Sequence, residues 1–201
     1  VLFADDNLIG NRRHLKNQLL PALIKWRREN QYPVFFATQL TINLADDDEL
    51  MALLLEAGFR HIFIGLETPD DAGLLLTKKK QNLKRSVMDD IKKLHGAGFI
   101  ISGGFIVGLD TDTPSIFKLQ EEFIQYSGIP LPIVNVLKAP PGTELYERIE
   151  KEGRLRAEFT FAEADTNMEI KMGDKALYNG FYELVTNIYT PEAAYKRIIQ
   201  F

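Results

Sequence analysis

The feature that most constrains the fold is a sequence pattern that occurs twice. The two copies begin 40 residues apart, at Ala57-Gly58-Phe59 and at Ala97-Gly98-Phe99. In each copy a helix end and a glycine stop precede an apolar strand, and a carboxylate follows the strand, Glu67 in the first copy and Asp110 in the second. A spacing of about 40 residues accommodates one strand, one helix and two loops. The repeat therefore predicts alternating strands and helices.

The predicted strands are apolar over nearly their whole length. Such runs are typical of parallel strands that are covered on both faces of a sheet. Five of them are predicted, at residues 1–4, 34–37, 62–66, 99–109 and 133–137. Parallel strands joined by helices form an α/β barrel or an open sheet, and ligands bind at the carboxyl ends of the strands. We therefore predict an α/β fold whose parallel strands form part of a TIM-like (β/α) barrel.

The repeat pattern ends near residue 150. Residues 159–171 show no clear hydrophobic period, and an amphipathic helix is predicted over residues 177–188. Thr190-Pro191-Glu192 has the composition of a helix start and predicts one more helix. We therefore divide the chain into a partial barrel, residues 1–150, and a small C-terminal helical extension, residues 151–201.

Polar side chains follow three of the predicted strands. Asp5-Asp6-Asn7 follows the first strand, Thr38 and Gln39 follow the second, and Glu67 and Thr68 follow the third. Strand exits are where a barrel carries its functional residues. For Asp5-Asp6-Asn7 a turn or a helix cap is an equally good interpretation, since Asp and Asn favour both.

Three glycines, Gly103, Gly104 and Gly108, lie in or directly after the predicted fourth strand. Glycine weakens a strand unless another group has to approach its backbone closely. The glycines therefore predict that a ligand lies against this strand. Asp112-Thr113-Pro114 is predicted to cap the helix that follows, with proline at the first helical position.

The composition excludes several kinds of site and partner. The chain contains no cysteine, which removes disulfides, thiolate metal sites and cysteine nucleophiles. Its net charge of −4 gives no reason to expect a nucleic-acid partner. The longest apolar run, Phe99–Leu109, is too short to span a membrane and no secretory leader opens the chain, so we expect a cytoplasmic protein. The strand at residue 1 indicates a fragment of a longer protein.

The order of four motifs resembles that of the radical S-adenosylmethionine (SAM) enzymes. The motifs are Phe3–Asn7, Ile64–Thr68, Gly104–Gly108 and Pro140–Tyr146. The pattern is most similar to the branch that carries an upstream cobalamin-binding domain, which includes magnesium-protoporphyrin IX monomethyl ester oxidative cyclases. The resemblance covers nearly the whole chain. It implies that the chain contains five of the six strands of the family's barrel.

The resemblance also implies two cofactors, SAM and a [4Fe-4S] cluster, with cobalamin as a third in this branch. Three thiolates of a CxxxCxxC loop after the first barrel strand hold the family's cluster, and that loop is absent here. In one account the fragment begins at the second barrel strand, so that the cluster loop and any cobalamin domain lie upstream. In the other, the chain is a degenerate relative that never binds a cluster.

Several residues match positions that contact SAM in this family. Asp5-Asp6-Asn7 matches the strand exit that binds the SAM amino group, and Glu67 with Thr68 matches the position beside the ribose or methionine part. Gly104–Gly108 matches the GxIxG element beside adenine. The full set of candidate cofactor-binding residues is Asp5, Asp6, Asn7, Thr38, Gln39, Glu67, Thr68, Gly104, Ile106, Gly108 and Asn135.

The resemblance implies reductive cleavage of SAM to methionine and a 5′-deoxyadenosyl radical, which takes hydrogen from an unactivated carbon of a small-molecule substrate. Methylation and oxidative cyclisation both remain open, and no catalytic residue or metal ligand is assigned. The expected partners are the substrate and upstream domains of the same chain. None of the three histidines, His14, His61 and His95, is expected to reach the site.

Two other functions are compatible with the residues. One is a Mg²⁺-dependent barrel hydrolase or lyase that uses Asp5, Asp6 and Glu67, because oxygen ligands suit that ion. The other is a non-catalytic scaffold, in which the partial barrel only packs against a partner domain through its open strand edge and apolar flank.

Overall fold

The computed structural model describes residues 1–31, 34–77, 82, 85–156 and 165–200. It contains one sheet, whose strands are β1 Leu2–Phe3, β2 Phe36–Gln39, β3 Phe59–Glu67, β4 Ile100–Val107 and β5 Leu131–Val136. The strands lie side by side in chain order, and each neighbouring pair is parallel. The predicted parallel α/β fold is therefore confirmed. The second strand begins two residues later than predicted, at Phe36.

The α-helices of the described residues are α1 Arg12–His14, α2 Leu20–Asn30, α3 Asp48–Ala57, α4 Asp71–Leu76, α5 Val87–Ala97, α6 Ser115–Ser127, α7 Glu144–Lys151, α8 Asp174–Ile188 and α9 Pro191–Ile198. Shorter helical segments, Leu8–Asn11, Leu15–Leu19 and Ile42–Asp46, precede α1, α2 and α3. Both predicted glycine stops are present, because Gly58 and Gly98 end α3 and α5 in the left-handed conformation. None of these helices is long and apolar enough to cross a membrane.

One face of the sheet packs against helices, and we call it the helix face. Sequential parallel strands with right-handed crossovers place their helices on the same side. On this face Ile62, Ile64 and Leu66 of β3 are almost completely buried. The rings of Phe3 and Phe36 meet edge to face, with centroids 5.2 Å apart, and extend the same core.

The opposite face of the sheet, here called the open face, is much less covered. Strand alternation and register assign to it Leu2, Ala37, Gln39, His61, Phe63, Gly65, Ser102, Gly104, Ile106, Leu131, Ile133 and Asn135. Leu131 and Ile133 of β5 remain 46% and 42% exposed. Among the described residues the open face is therefore only partly covered at β5, whereas Ser102 on β4 of the same face is 4% exposed.

The C-terminal part of the chain packs back onto the sheet and its helices. A short antiparallel bridge joins Leu155 to Met168. Helix α8 crosses α6 closely, and a Cβ at Gly180 would lie 2.2 Å from the ring of Phe117. In α9 the guanidinium of Arg197 is buried and donates to the carbonyl of Ile129 at 3.1 Å.

Residues 157–164 of the predicted extension lie outside the described residues, and the domain boundary at residue 150 stays a prediction.

Candidate functional site

The exit of β1 carries three of the candidate residues. The Asp5 carboxylate accepts a hydrogen bond from the Asn7 backbone N–H at 3.1 Å, so this segment forms the turn that its composition also predicted. Asp6 is exposed. The side-chain oxygen Oδ1 of Asn7 is buried and has no hydrogen-bond partner. Since buried polar atoms in native proteins are normally paired, this oxygen is an acceptor that a bound donor group can satisfy.

The exit of β2 separates two neighbouring candidates onto different faces of the sheet. Thr38 pairs in register with Ile62 on the helix face and is buried, with its hydroxyl 3.4 Å from the carbonyl oxygen of Phe3. Gln39 pairs with Phe63 and is exposed on the open face. The structure therefore leaves Gln39 accessible from the open face and places Thr38 away from it.

The exit of β3 is irregular around Glu67. The register with β4 shifts between Gly65 and Glu67, which marks a β-bulge. Glu67 has a φ of 68°, in the left-handed region that residues with a Cβ seldom adopt. Backbone strain of this kind clusters at binding and catalytic sites. Thr68, directly after it, is buried and its hydroxyl accepts a hydrogen bond from the Asp70 N–H at 3.2 Å.

Two glycines of β4, Gly103 and Gly104, lie close to side chains of neighbouring segments. A Cβ on Gly104 would lie 2.6 Å from the ring of Phe63, and a Cβ on Gly103 would lie 3.0 Å from Ile129. The protein's own side chains therefore leave little space for a Cβ at these two positions, and a ligand against the strand there stays a prediction. Ile106, two residues further on, is half-buried on the open face.

Gly108, directly after β4, forms part of a tight loop. Its φ is +98°, and its N–H and that of Leu109 donate to Oδ2 of Asp112 at 2.8 and 2.9 Å. Asp112 therefore closes this loop and does not cap α6, whose N-cap Pro114 has no side-chain cap bond. Burial raises the pKa of Asp112 to about 6, and its second oxygen Oδ1 is buried without a partner. The sequence predicts a cap at Asp112-Thr113-Pro114, but it carries no signal for a loop contact that uses backbone N–H groups.

Asn135, the candidate on β5, is exposed on the open face and pairs in register with Ile106. Gln39, Ile106 and Asn135 thus share one face of the sheet, on β2, β4 and β5. Asp5-Asp6-Asn7, Glu67 and Gly108 lie at the carboxyl ends of their strands. In a parallel sheet these ends form one edge, which we call the rim.

The carboxylate of the second repeat copy is part of a charge cluster at the rim. Asp110 receives two hydrogen bonds from Arg154, at 2.7 and 3.1 Å, and one from Arg148 at 2.6 Å. Its side chain is only 6% exposed. The hydrogen bonds from Arg154 and Arg148 outweigh the cost of burial and hold the pKa of Asp110 far below its usual range. Asp110 is therefore a permanently ionised structural anchor.

His61 lies on the open face. Its Nε2 is 2.6 Å from the hydroxyl of Ser102 on β4. It belongs to the N-terminal half of β3, six residues before Glu67, which at about 3.3 Å per residue is roughly 20 Å from the rim. The expectation that His61 stays away from the rim is thus consistent with its position in the strand.

The residues differ in how well they fit the implied groups. A rim with carboxylates, an unpaired Asn7 oxygen and an exposed open face next to it fits a molecule with an ammonium group and a nucleoside. The chain has no cysteine, so it cannot supply the thiolates of an iron–sulfur cluster. Among the described residues, no group of three His, Cys, Asp or Glu side chains is placed to hold a metal ion, and Asp5, Asp6 and Glu67 are accordingly not gathered around one.

Two family models match the chain. The model described as "Radical SAM superfamily" matches residues 10–120. A model described as "Domain of unknown function (DUF4070)" matches residues 143–201, which are α7 and the part of the chain after it.

Curated relatives match most of the chain. A hopanoid C-2 methylase from Rhodopseudomonas palustris is 34% identical over 98% of this chain and 37% of that protein. An uncharacterized methyltransferase from Synechocystis is 41% identical over 77% of this chain and 29% of that protein. A bacteriochlorophyllide d C-12(1)-methyltransferase from Chlorobaculum tepidum is 26% identical over 98% of this chain and 42% of that protein. The chain therefore spans less than half the length of these relatives.

Solved structures share the fold. The radical S-adenosylmethionine methyltransferase TsrM from Kitasatospora setae, solved with cobalamin and a [4Fe-4S] cluster, aligns with a TM-score of 0.63 at 16% identity, over 90% of this chain and 37% of TsrM. Coproporphyrinogen III oxidase (HemN) from Escherichia coli aligns with a TM-score of 0.53 at 14% identity, over 87% of this chain and 38% of HemN. These alignments confirm the partial TIM-like barrel.

Proposed function

The chain belongs to the radical SAM superfamily, and from that membership we propose that it forms the SAM-binding part of a methylase that acts on an unactivated carbon of a small molecule. The thiolates for the [4Fe-4S] cluster come from a part of the protein outside this chain, since the chain has no cysteine. Cobalamin, where the enzyme uses it, is also bound outside this chain.

The observation that carries the proposal is the joint position of the candidates at one edge and one face of a parallel sheet. Asp5-Asp6-Asn7 and Gly108 follow β1 and β4, and Glu67 is the last residue of β3, so all lie at strand ends that form the rim. Gln39, Ile106 and Asn135 lie on the open face next to it. Binding sites of parallel α/β folds form at this edge.

The proposal gives each group of residues a separate role. The carboxylates of Asp5 and Asp6 attract the ammonium group of SAM, and Asn7 Oδ1 accepts a hydrogen bond that it lacks in the free chain. Glu67 accepts hydrogen bonds from the ribose hydroxyls, at a backbone position fixed by the bulge. Ile106 provides an apolar surface for the adenine ring. Thr38 and Thr68 support the strand exits from their buried positions.

When bound, the cluster and SAM together supply the one-electron cleavage of a carbon–sulfur bond. The contribution of this chain is to hold SAM in a fixed orientation and to exclude water from the open face. Methyl transfer is favoured over oxidative cyclisation because the curated relatives carry the names of methylases and methyltransferases. The magnesium alternative has no gathered carboxylates in its favour.

SAM binding tests the proposal directly. We expect the full-length protein, purified without oxygen and with its cluster reconstituted, to bind SAM in isothermal titration calorimetry. Glu67→Ala is expected to raise the Kd for SAM by about tenfold, which corresponds to about 1.4 kcal/mol. Supplying SAM with a trideuterated methyl group to a cell extract from the source organism should give a product that is heavier by the labelled methyl group.

The matched control is Glu29→Ala. Glu29 lies near the end of α2, which leads toward the N-terminal end of β2 and therefore away from the rim. This variant is expected to bind SAM with unchanged affinity. Unaltered affinity in Glu67→Ala would remove Glu67 from the site, and a cluster-loaded wild-type protein that does not bind SAM would refute the proposed function.

A further inference from the structure

A cleft at the rim has walls that the SAM-binding residues do not account for. It lies between the end of α4 and the start of α7, and its volume is about 510 Å³. Leu76, Leu109, Leu137 and Leu145 form its apolar walls. We call it the leucine cleft. Thr77, Asp110, Thr143, Glu144 and Arg148 complete the lining. A volume of several hundred Å³ and apolar walls that carry polar groups are typical of sites for small organic molecules.

The leucine cleft is lined by carboxylates and by one guanidinium, that of Arg148. Two carboxylates line the cleft: that of Asp110 is 6% exposed and already bound by two arginines, and that of Glu144 is on an exposed residue at the start of α7. The Arg148 side chain is 41% exposed, and both of its hydrogen bonds, to Asp110 and to Glu152, use the same nitrogen, Nη1. A half-exposed guanidinium therefore stands beside apolar walls, and Arg is well suited to binding organic anions.

The cleft adjoins the proposed SAM site through the chain itself. Leu109 directly follows Gly108, and Leu137 comes two residues after Asn135. Since consecutive Cα atoms are about 3.8 Å apart, a molecule in the cleft lies next to the rim. An occupant of the leucine cleft is therefore in position to present a carbon atom at that edge.

We propose that the leucine cleft binds the hydrocarbon body of the substrate and that Arg148 binds an anionic group of the same molecule. The substrate class is thus an organic anion with a ring- or chain-bearing apolar body. That the occupant is the substrate rests on the proposed methylase function. The binding of such a molecule to the cleft does not depend on it.

The test uses two fluorescent probes with the same rings and different charge, 8-anilinonaphthalene-1-sulfonate and the uncharged N-phenyl-1-naphthylamine. Full-length protein is expected to bind both saturably. Leu76→Asp places a charge on the apolar wall and should weaken both probes by about tenfold or more. Arg148→Gln should weaken the sulfonate by about threefold to tenfold and leave the uncharged probe within about twofold.

The control is Leu75→Asp. Leu75 is 56% exposed and Leu76 is 47% exposed on the same helix, but only Leu76 lines the leucine cleft. The proposal would be overturned if Leu75→Asp and Leu76→Asp weakened probe binding equally, or if the wild-type protein showed no saturable probe binding. An Arg148→Gln variant that loses both probes equally while keeping its unfolding temperature would also overturn it. SAM titration of the same variants separates this result from the proposed function, because Leu76→Asp should leave SAM affinity unchanged.

Discussion

The two copies of the sequence repeat end on carboxylates that have different environments in the folded chain. Glu67, after the first copy, is half-buried at a bulge and has a left-handed φ of 68°. Asp110, after the second copy, is 6% exposed and is bound by Arg148 and Arg154. The difference shows that a repeat fixes where a carboxylate lies along the chain, while distant parts of the chain decide how deeply its side chain is buried.

The largest effect is expected from removing the carboxylate of the second copy. Asp110→Asn removes the buried carboxylate that binds Arg148 and Arg154, which keep Glu152 as an acidic partner. Breaking a buried ion pair typically costs 3–5 kcal/mol, and because Arg148 is half-exposed we expect a loss of about 2–4 kcal/mol in the free energy of unfolding. Urea denaturation measures this loss. Glu67→Gln, the same change in the first copy, should cost less than about 1 kcal/mol, and equal losses would contradict the contrast.

A pH effect of intermediate size is expected from Asp112, which closes the loop that contains Asp110. The pKa of Asp112 is raised to about 6 in the folded chain, from 3.8, so the folded state binds this proton at a pH where the unfolded state has released it. Asp112 therefore destabilises the fold as the pH rises from about 4 to about 6, by about 2 kcal/mol after allowance for partial burial.

Comparing the wild-type protein with Asp112→Asn isolates this contribution. His95, whose pKa is lowered to about 4 by burial, acts in the opposite direction, because stability is lost as the pH falls below about 6.5. The contribution of His95 to the free energy of unfolding is present in both proteins, so it cancels when the two are compared. The difference in urea midpoint between the two proteins should change between pH 4 and pH 6 and be constant above pH 7. A midpoint difference that does not vary with pH would rule out the raised pKa of Asp112.

The smallest effect compares the glycine stops of the two copies. Gly98→Ala should cost about 1 kcal/mol, because a φ of 105° is unfavourable for a residue with a Cβ. At Gly58 a Cβ would also lie 2.3 Å from Nη1 of Arg27, which donates to the Glu56 carbonyl. Gly58→Ala should therefore cost about 0.5 kcal/mol more. Thermal unfolding of both variants measures this difference in stability. A larger loss of stability in Gly98→Ala than in Gly58→Ala would contradict the prediction.

Much of the fold could be predicted from the sequence because its signals are local. Helix ends at Gly58 and Gly98, apolar strands and the 40-residue spacing each depend on a few neighbouring residues. The parallel arrangement and the strand exits followed from them. The positions of Asp5-Asp6-Asn7 and Glu67 at strand ends could be predicted for the same reason, since β1 ends at Phe3 and β3 ends at Glu67.

The parts of the site that were missed depend on contacts between distant segments. Alternation along β2 puts Thr38 on the helix face and Gln39 on the open face, but the register that decides this is set by β3. The ring of Phe63 on the neighbouring strand leaves little space for a Cβ at Gly104, a constraint that the sequence around Gly104 does not reveal. The loop role of Asp112 uses backbone N–H groups, which every residue except proline has.

The amino-acid sequence by itself determined which segments become strands and helices, where they end, and that polar residues follow the strands, because propensity, glycine stops and hydrophobic period act over a few residues. The tertiary structure decided which face of the sheet stays open, that Arg154, 44 residues along the chain, neutralises Asp110, and that four leucines from separate segments enclose a cleft. Those outcomes depend on packing between elements, whose geometry no short stretch of sequence encodes.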